Sequence, residues 1–330
     1  MSQDAAFMID GVRPGRVLLV GEPMGLFTAV SEGPLGGVDE FRASVAGAEL
    51  NVAVGLRRLG HDPLYVTKVG DDPLADRIVA FMGSNGLDVS AVSRDPGLLT
   101  GFMMKSKVSA GDPATSYFRR GSAASTLDAS DVRSVDVSGV SVLHLTGILP
   151  PLSPSCLAAS TELLRVAREE GMLVSFDPNL RPALWSDAGQ MRDTLRMIAA
   201  HADLVLPGLG EGEALFGARS VEETAEAFLS NGARVVVVKD GPRGAYASDG
   251  SRSVYVPGFV VDHVVDTVGA GDGFAAGVLS ALLEGLDVAA AAERGCALGA
   301  IQTQHVSDNE GLPTPVELEA FMASHRRAER

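Results

Sequence analysis

The sequence predicts an α/β fold, a three-layer α/β/α sandwich around a mostly parallel sheet with a small β-sheet lid. Three observations predict it. Short β-branched runs alternate with longer segments of helical period, the pattern of successive βαβ units. Two segments, 22–47 and 97–122, break that rhythm with Gly-rich or strand-like sequence. Hydrophobic residues make up 46% of the 330, enough to bury a core, and no midpoint has linker-like composition. One domain over 1–330 with a lid built from the two insertions is therefore expected, rather than two domains in series.

The elements follow in order. RVLLVG (16–21) reads as a first buried strand, and AELNVAVGLRRLG (48–60) as a helix with Leu50, Val54 and Leu59 on one face and Gly60 as its stop. PLYVTKVG (63–70) is a strand, PLADRIVAFMGSNG (73–86) a helix and DVSAVS (88–93) a strand. In the second half SVLHLTG (141–147), LVSFD (173–177), DLVLP (203–207) and RVVVVKD (234–240) are strands. Between them SCLAASTELLRVAREEG (155–171), MRDTLRMIAAHA (191–202) and VEETAEAFLSNG (221–232) are helices. After a hairpin at 244–257 the chain is helical, through GDGFAAGVLSALLEG, VAAAAERGCALGAIQTQ and PVELEAFMASH. Of the two insertions, the second reads as a hairpin, TGFMMKSKVS and TSYFRR joined by AGDPA (110–114). Such a layer is placed to close over a ligand and exclude water.

Subtracting 42 acidic from 27 basic residues leaves −15 at pH 7, a field that repels nucleic-acid backbones and anionic lipid. Neither is expected as a partner, and an anionic substrate must be held by local Arg residues or helix ends. Apolar runs such as VLSALL (278–283) are far shorter than the ~18 residues of a membrane span. Asp4 and Asp10 stand where an export signal needs a basic start, so a cytoplasmic location is expected. Cys156 and Cys296 lack CxxC spacing and read as reduced core residues. The six His form no HExxH, so His144 and His263 read as structural, and Trp185 as the anchor of its loop.

The chemistry concentrates in DTVGAGDGFAAG, Asp266 to Gly277, which passes from a β-type segment into a helix. Gly269, Ala270 and Gly271 leave backbone N–H groups open to an anion at the positive end of a helix dipole. Asp272 follows directly, where a phosphate would repel it unless it served as a base toward an attacking hydroxyl. The pattern alone also fits a Gly-rich helix start with an Asp cap. It is not GxGxxG, and none of the four Lys (Lys68, Lys105, Lys107, Lys239) follows a Gly as a Walker A loop requires.

DTVGAGDGFAAG closely resembles the C-terminal signature of the ribokinase/PfkB sugar kinases. GAELNVAVGLRRLG (47–60) resembles that family's N-terminal signature, and VVVVKDGPRGA (235–245) its nucleotide-side strand and turn. GEPM (21–24), TSYFRRGSAAS (115–125), HLTGI (144–148) and DPNLRPALW (177–185) are most similar to 2-keto-3-deoxygluconate kinases. The resemblance implies a ribokinase-like fold and ATP-dependent phosphorylation of the terminal hydroxyl of that sugar acid. It implies Asp272 as catalytic base and Gly269, Ala270 and Gly271 as the anion hole. Glu211, in GLGEGEALFG, takes the acidic position of an NxxE motif that places Mg²⁺ through water, with Gly208 at its Asn position. Lys239, Gly241 and Gly244 would line the nucleotide, and Ala297 and Gly299 would leave room for adenine and ribose. Gly47 and Asn51 would hold sugar hydroxyls, while Tyr117, Arg119 and Arg181 would contact the acid end. Met103 stands where relatives can carry Tyr, and Ala46 replaces the first Gly of GGA. HVSDNEGLP (305–313) resembles a region where relatives can bind a monovalent cation.

Chemistry supports the acid assignment independently, because Arg offers a carboxylate a planar pair of donors that Lys lacks. Unpaired strand edges on the lid suggest a homo-oligomer formed through it. The alternatives are a kinase for a neutral sugar such as fructose, for which Arg119 and Arg181 are surplus charge, and a silent nucleotide- or sugar-binding sensor, which has no need of Asp272. A nicotinamide-dependent dehydrogenase is a more distant one.

Overall fold

Alternation along the first strand, β1 (Arg16–Val20), creates the layers: Val17 and Leu19 enter one core and Leu18 and Val20 another, all 2% exposed or less. The computed structural model describes residues 6–108 and 113–329, so Asp4 and positions 110–112 of the AGDPA turn lie outside the described residues. The remaining strands are β2 (Met24–Glu32), β3 (Phe41–Ala46), β4 (Pro63–Gly70), β5 (Val92–Asp95), β6 (Phe102–Lys107) and β7 (Thr115–Phe118). They continue as β8 (Val140–Thr146), β9 (Leu173–Asp177), β10 (Leu204–Val205), β11 (Val235–Lys239), β12 (Gly244–Ser248) and β13 (Ser253–Pro257). The first five helices are α1 (Ala48–Arg58), α2 (Pro73–Ser84), α3 (Ala129–Ser134), α4 (Pro154–Glu170) and α5 (Ala188–Ala199). The last five are α6 (Leu209–Phe216), α7 (Val221–Ser230), α8 (Ala270–Leu283), α9 (Val288–Gln302) and α10 (Pro315–Ser324).

A nine-stranded sheet runs β13-β12-β11-β10-β9-β8-β1-β4-β5, parallel from β11 to β5 and antiparallel only at β12 and its neighbours. Helices α1, α2, α8, α9 and α10 bury apolar residues with Val17 and Leu19, and α4, α5 and α7 bury theirs with Leu18 and Val20. The two insertions meet in a second sheet, β3-β2-β6-β7, in which β2 pairs antiparallel with β3 and parallel with β6. The predicted ribokinase-like α/β/α arrangement is therefore present.

Differences from expectation have local causes. The strand expected at 88–93 begins only at Val92, because Asp88 captures the Ser90 N–H at 2.9 Å in a tight turn. Helix α5 starts earlier than expected, at Ala188, because Asp187 accepts from the Gln190 N–H at 2.7 Å. Helix α6 was hidden in the Gly-rich GLGEGEALFG, and Glu211 starts it by accepting the Gly208 N–H. Both cysteines are free and buried, and burial pushes the Cys156 thiol up to about 11. His144 is fully buried, bonded to the Ser175 hydroxyl at 3.0 Å, and burial pushes it down to about 4, whereas His263 is exposed. Trp185 packs partly buried against the α4–α5 core. Among the described residues no helix is long and apolar enough to cross a membrane.

Candidate active site

The order of β1 and β8 in the sheet reverses the direction in which the chain adds strands, and parallel sheets open a ligand crevice at such a point. There a cavity of about 300 Å³ is lined by Gly47, Asn51, Tyr117, Arg119, Arg181, Glu211, Lys239, Gly269, Gly271 and Asp272. A second, apolar cavity of about 330 Å³ takes in Gly241, Gly244, Ala270 and Gly299, with the side chains of Phe259, Val261 and Phe274. The two share Lys239, Thr267 and Gly271, so they meet at the start of α8. Ala297 reaches neither. The helical period of α9 turns Cys296, Gly299, Ala300 and Thr303 toward the apolar cavity and puts Ala297, fully buried, into the core beneath.

Two glycines hold the loops by conformation. Gly269, at φ 80°, precedes α8 where any Cβ would run into the Asp308 carbonyl oxygen. Gly47, at φ 149°, precedes α1, and a Cβ there would lie 2.8 Å from the Glu22 carbonyl oxygen. Helix α1 then presents Asn51, whose Nδ2 donates to Asp272 Oδ2 at 2.7 Å. Burial, opposed by that bond, pushes the Asp272 carboxyl up to about 8, with Asp177 and Asp308 adding to the rise and Arg181 drawing it down. Helix α8 starts at the junction of the cavities, where a helix has N–H groups without intrahelical partners, but the Ala270 N–H expected in the anion hole donates to the Thr267 carbonyl at 3.3 Å.

The two arginines differ in a way the sequence did not reveal. Arg119 lies at the cavity wall but is only 7% exposed, and its Nε and Nη2 reach Glu22 Oε2 at 2.6 and 2.5 Å. Ser122 donates to the other Glu22 oxygen at 2.5 Å, and the Tyr117 ring lies 5.8 Å from the guanidinium. The Arg119 charge is thus already balanced. Arg181 is exposed to the cavity, donates to the Leu180 carbonyl at 2.9 Å and forms no ion pair with a described residue.

Glu211 accepts from the Leu180 N–H at 2.8 Å and the Gly208 N–H at 2.6 Å, so the backbone orients it although the expected Asn side chain is absent. Lys239 meets Asp177 at 2.6 Å beside it. These hard oxygen donors suit Mg²⁺ carried on nucleotide phosphates and touched through water. Among the described residues no three His, Cys, Asp or Glu side chains are grouped to hold a metal directly.

Glu22, Lys105, Asp177, Asn179 and Asp308 also line the first cavity and were missed as site residues. Asn179 carried a signal, since after DP an Asn readily takes the positive φ of 38° seen here. Lys105 carried another, because it shares the inward face of β6 with Met103.

The sequence matches the pfkB family carbohydrate kinase signature over residues 15–315. It is 43% identical over 310 residues to a 2-dehydro-3-deoxygluconokinase of Bacillus subtilis (strain 168), covering 93% of this chain and 95% of that one. A PfkB protein from Polaromonas sp. JS666 superposes with a TM-score of 0.84 at 42% identity, covering 93% of this chain and 99% of that chain. A putative ribokinase II from E. coli, in complex with ATP and Mg²⁺, superposes with a TM-score of 0.86 at 25% identity, covering 94% of this chain and 100% of that one. With a matching signature over most of its length and the expected fold beneath it, the chain belongs to the pfkB family of carbohydrate kinases.

Proposed function

We propose that this carbohydrate kinase transfers the γ-phosphoryl group of ATP to the terminal hydroxyl of 2-keto-3-deoxygluconate, giving 2-keto-3-deoxy-6-phosphogluconate. The observation that carries the reading is the meeting of a polar and an apolar cavity at Lys239, Thr267 and Gly271, directly before Asp272. The polar side takes the sugar acid and the apolar side takes adenine and ribose. Asp272 Oδ2 is occupied by the Asn51 amide, so Oδ1 takes the proton from the hydroxyl. The freed oxygen forms a bond to the γ-phosphorus as the bond to the bridging oxygen breaks, and ADP leaves with that electron pair. The N–H groups of Gly269 and Gly271 would face the charge on the transferring group, and that of Ala270 would join them on leaving the Thr267 carbonyl. Mg²⁺, when bound on the phosphates, neutralises their charge, and Glu211 is oriented to hold one of its waters. Lys239 offsets further negative charge while Asp177 fixes its position.

At the acid end Arg181 is the cation available for the carboxylate, and Tyr117 and the Glu22-balanced Arg119 shape the wall. Similarity to the Bacillus subtilis kinase supports the same substrate class. The test is coupled ADP release with Mg-ATP and, in parallel, 2-keto-3-deoxygluconate, its galactonate-derived epimer, fructose and ribose. Preference for the acid sugars is expected, and preference for fructose or ribose would overturn the substrate. We also propose that two copies pair through the outer face of the small sheet, where Phe118 is half exposed and stacks on Phe102 with ring centroids 4.6 Å apart.

A further inference from the structure

Lys105 is one of the most buried charged side chains of the molecule, at 3% exposure, and the phosphoryl-transfer steps leave it without a task. It projects from β6 of the small sheet, and its Nζ lies 2.5 Å from Asp266 and 3.1 Å from Asp308. Burial works against the ammonium, but the two carboxylates outweigh it and hold its pKa above the ordinary value. Both partners bear on the catalytic loop: Asp266 begins DTVGAGD, and the carbonyl of Asp308, from a separate turn, backs Gly269.

The next two residues repeat the grip. Asn309 Nδ2 donates to the Val45 carbonyl of β3 at 3.0 Å and to Asn51 Oδ1 at 2.9 Å. Arg42 of β3 reaches Glu310 at 3.2 Å. The polarity of this chain is fixed at one end, because a backbone carbonyl only accepts, so Asn309 must turn its amide toward Val45. Asn51 then meets Asn309 with its oxygen and faces Asp272 with its amide. A continuous path of hydrogen bonds thus runs from the small sheet through Asn309 and Asn51 to Asp272.

We propose that the turn Asp308–Glu310 is a clasp that couples the position of the small sheet to the anion loop and to Asp272, with Lys105 as its positioning residue. The proposal rests on the assignment of Asp272 as the base. When the sheet lifts, Lys105 withdraws from Asp266 and Asp308, whose like charges then repel an incoming phosphate. Asn51 loses its backing in the same movement. Closure over the sugar and readiness to react become one event, which restrains ATP hydrolysis when the sugar is absent.

The test compares Lys105→Ala, Lys105→Arg and Asn309→Ala with the wild type in ADP release, with and without sugar acid. Lys105→Ala should lower kcat about 100-fold, as a small misplacement of reacting groups does, and raise KM for ATP, because Asp266 and Asp308 are left without their cation beside the incoming phosphates. Ammonium or methylammonium chloride should restore turnover where tetramethylammonium chloride does not, and Lys105→Arg should retain more activity than Lys105→Ala. Asn309→Ala should move the rising limb of the pH profile of kcat/KM to higher pH, because the bond that holds the Asp272 pKa down is no longer fixed. Wild-type kcat in Lys105→Ala, or a loss that ammonium does not restore, would overturn the clasp. Should Lys105→Ala not fold, Asn309→Ala decides, and an unmoved limb sinks the proposal. An inactive Asp272→Asn beside a fully active Lys105→Ala removes the clasp alone, whereas an active Asp272→Asn removes the base on which it rests.

Discussion

Asp272 joins two measurable consequences at one side chain. A base must be deprotonated, and burial pushes this carboxyl up to about 8, so kcat/KM should rise with pH and level off above about 8. A profile flat from pH 6 to 9 would exclude it as the group that limits the rate. Linkage gives the second consequence. The folded pKa lies above the unfolded one, so the stabilising contribution is complete below the ordinary aspartate value of 3.8 and is lost as pH rises toward about 8. Asp272→Asn, which cannot ionise, should therefore lose about 10²- to 10⁴-fold in kcat while its Tm advantage over the wild type grows from pH 5 to pH 8. Thermal melts across that range check the sign, and a Tm difference that shrinks with pH contradicts the burial of the charge. For Arg181→Ala, loss of a charge-assisted bond worth ~1.5–3 kcal/mol predicts a rise in KM for the acid sugar of about 10- to 100-fold. Fructose kinetics should not move. Asp272 stood out in the DTVGAGDGFAAG motif, and Asn51 and Arg181 through the family resemblance, because each lies in a short recognisable segment, and the three line one cavity. The Glu22–Arg119 pair was not legible, since its partners are 97 residues apart and only the second sheet brings them together.

At the scale of elements, helical and strand periods determine which residues of a motif reach the cavities. Helix α9 sends Gly299 to the apolar cavity and Ala297 to the core, a difference of about 100° per residue that a motif match does not resolve. A Cβ on Gly299 would lie 3.2 Å from the Ala270 carbonyl oxygen, at the start of α8. Gly299→Val should therefore raise KM for ATP at least about tenfold by filling space and pressing on that helix start, with KM for the sugar acid little changed. Equal effects on both substrates would mean that α8 itself has moved. Short, mostly apolar runs such as β4 and β9 were readable to the residue, since both their faces are buried. Elements initiated by one side chain, α6 by Glu211 and β5 after the Asp88 turn, were not, because one local hydrogen bond sets their boundary.

For the whole molecule, the alternating pattern foretold the layers and the two interruptions foretold the second sheet. What it could not supply was the register between distant segments, which decides that Lys105 meets a turn 203 residues away. The proposed assembly rests on the same second sheet. Its outer side carries Phe27, Phe102 and Phe118 in contact across three strands, with ring centroids 5.9 and 4.6 Å apart. Its edge strands β3 and β7 have neighbours on one side only. A chain of net charge −15 repels its own copies over distance, so lasting association needs apolar contact at close range, and this aromatic stripe offers it. Pairing of identical stripes across a two-fold axis would cover Phe118 in both copies, since residues i and j then meet reciprocally. Light scattering on the wild type should return twice the chain mass of 34.2 kDa at micromolar concentration, and Phe118→Asp should return the single mass. Higher salt should tighten the wild-type pair by screening the repulsion. A monomeric wild type, or a dimer unaffected by Phe118→Asp, would show that the stripe is not the contact.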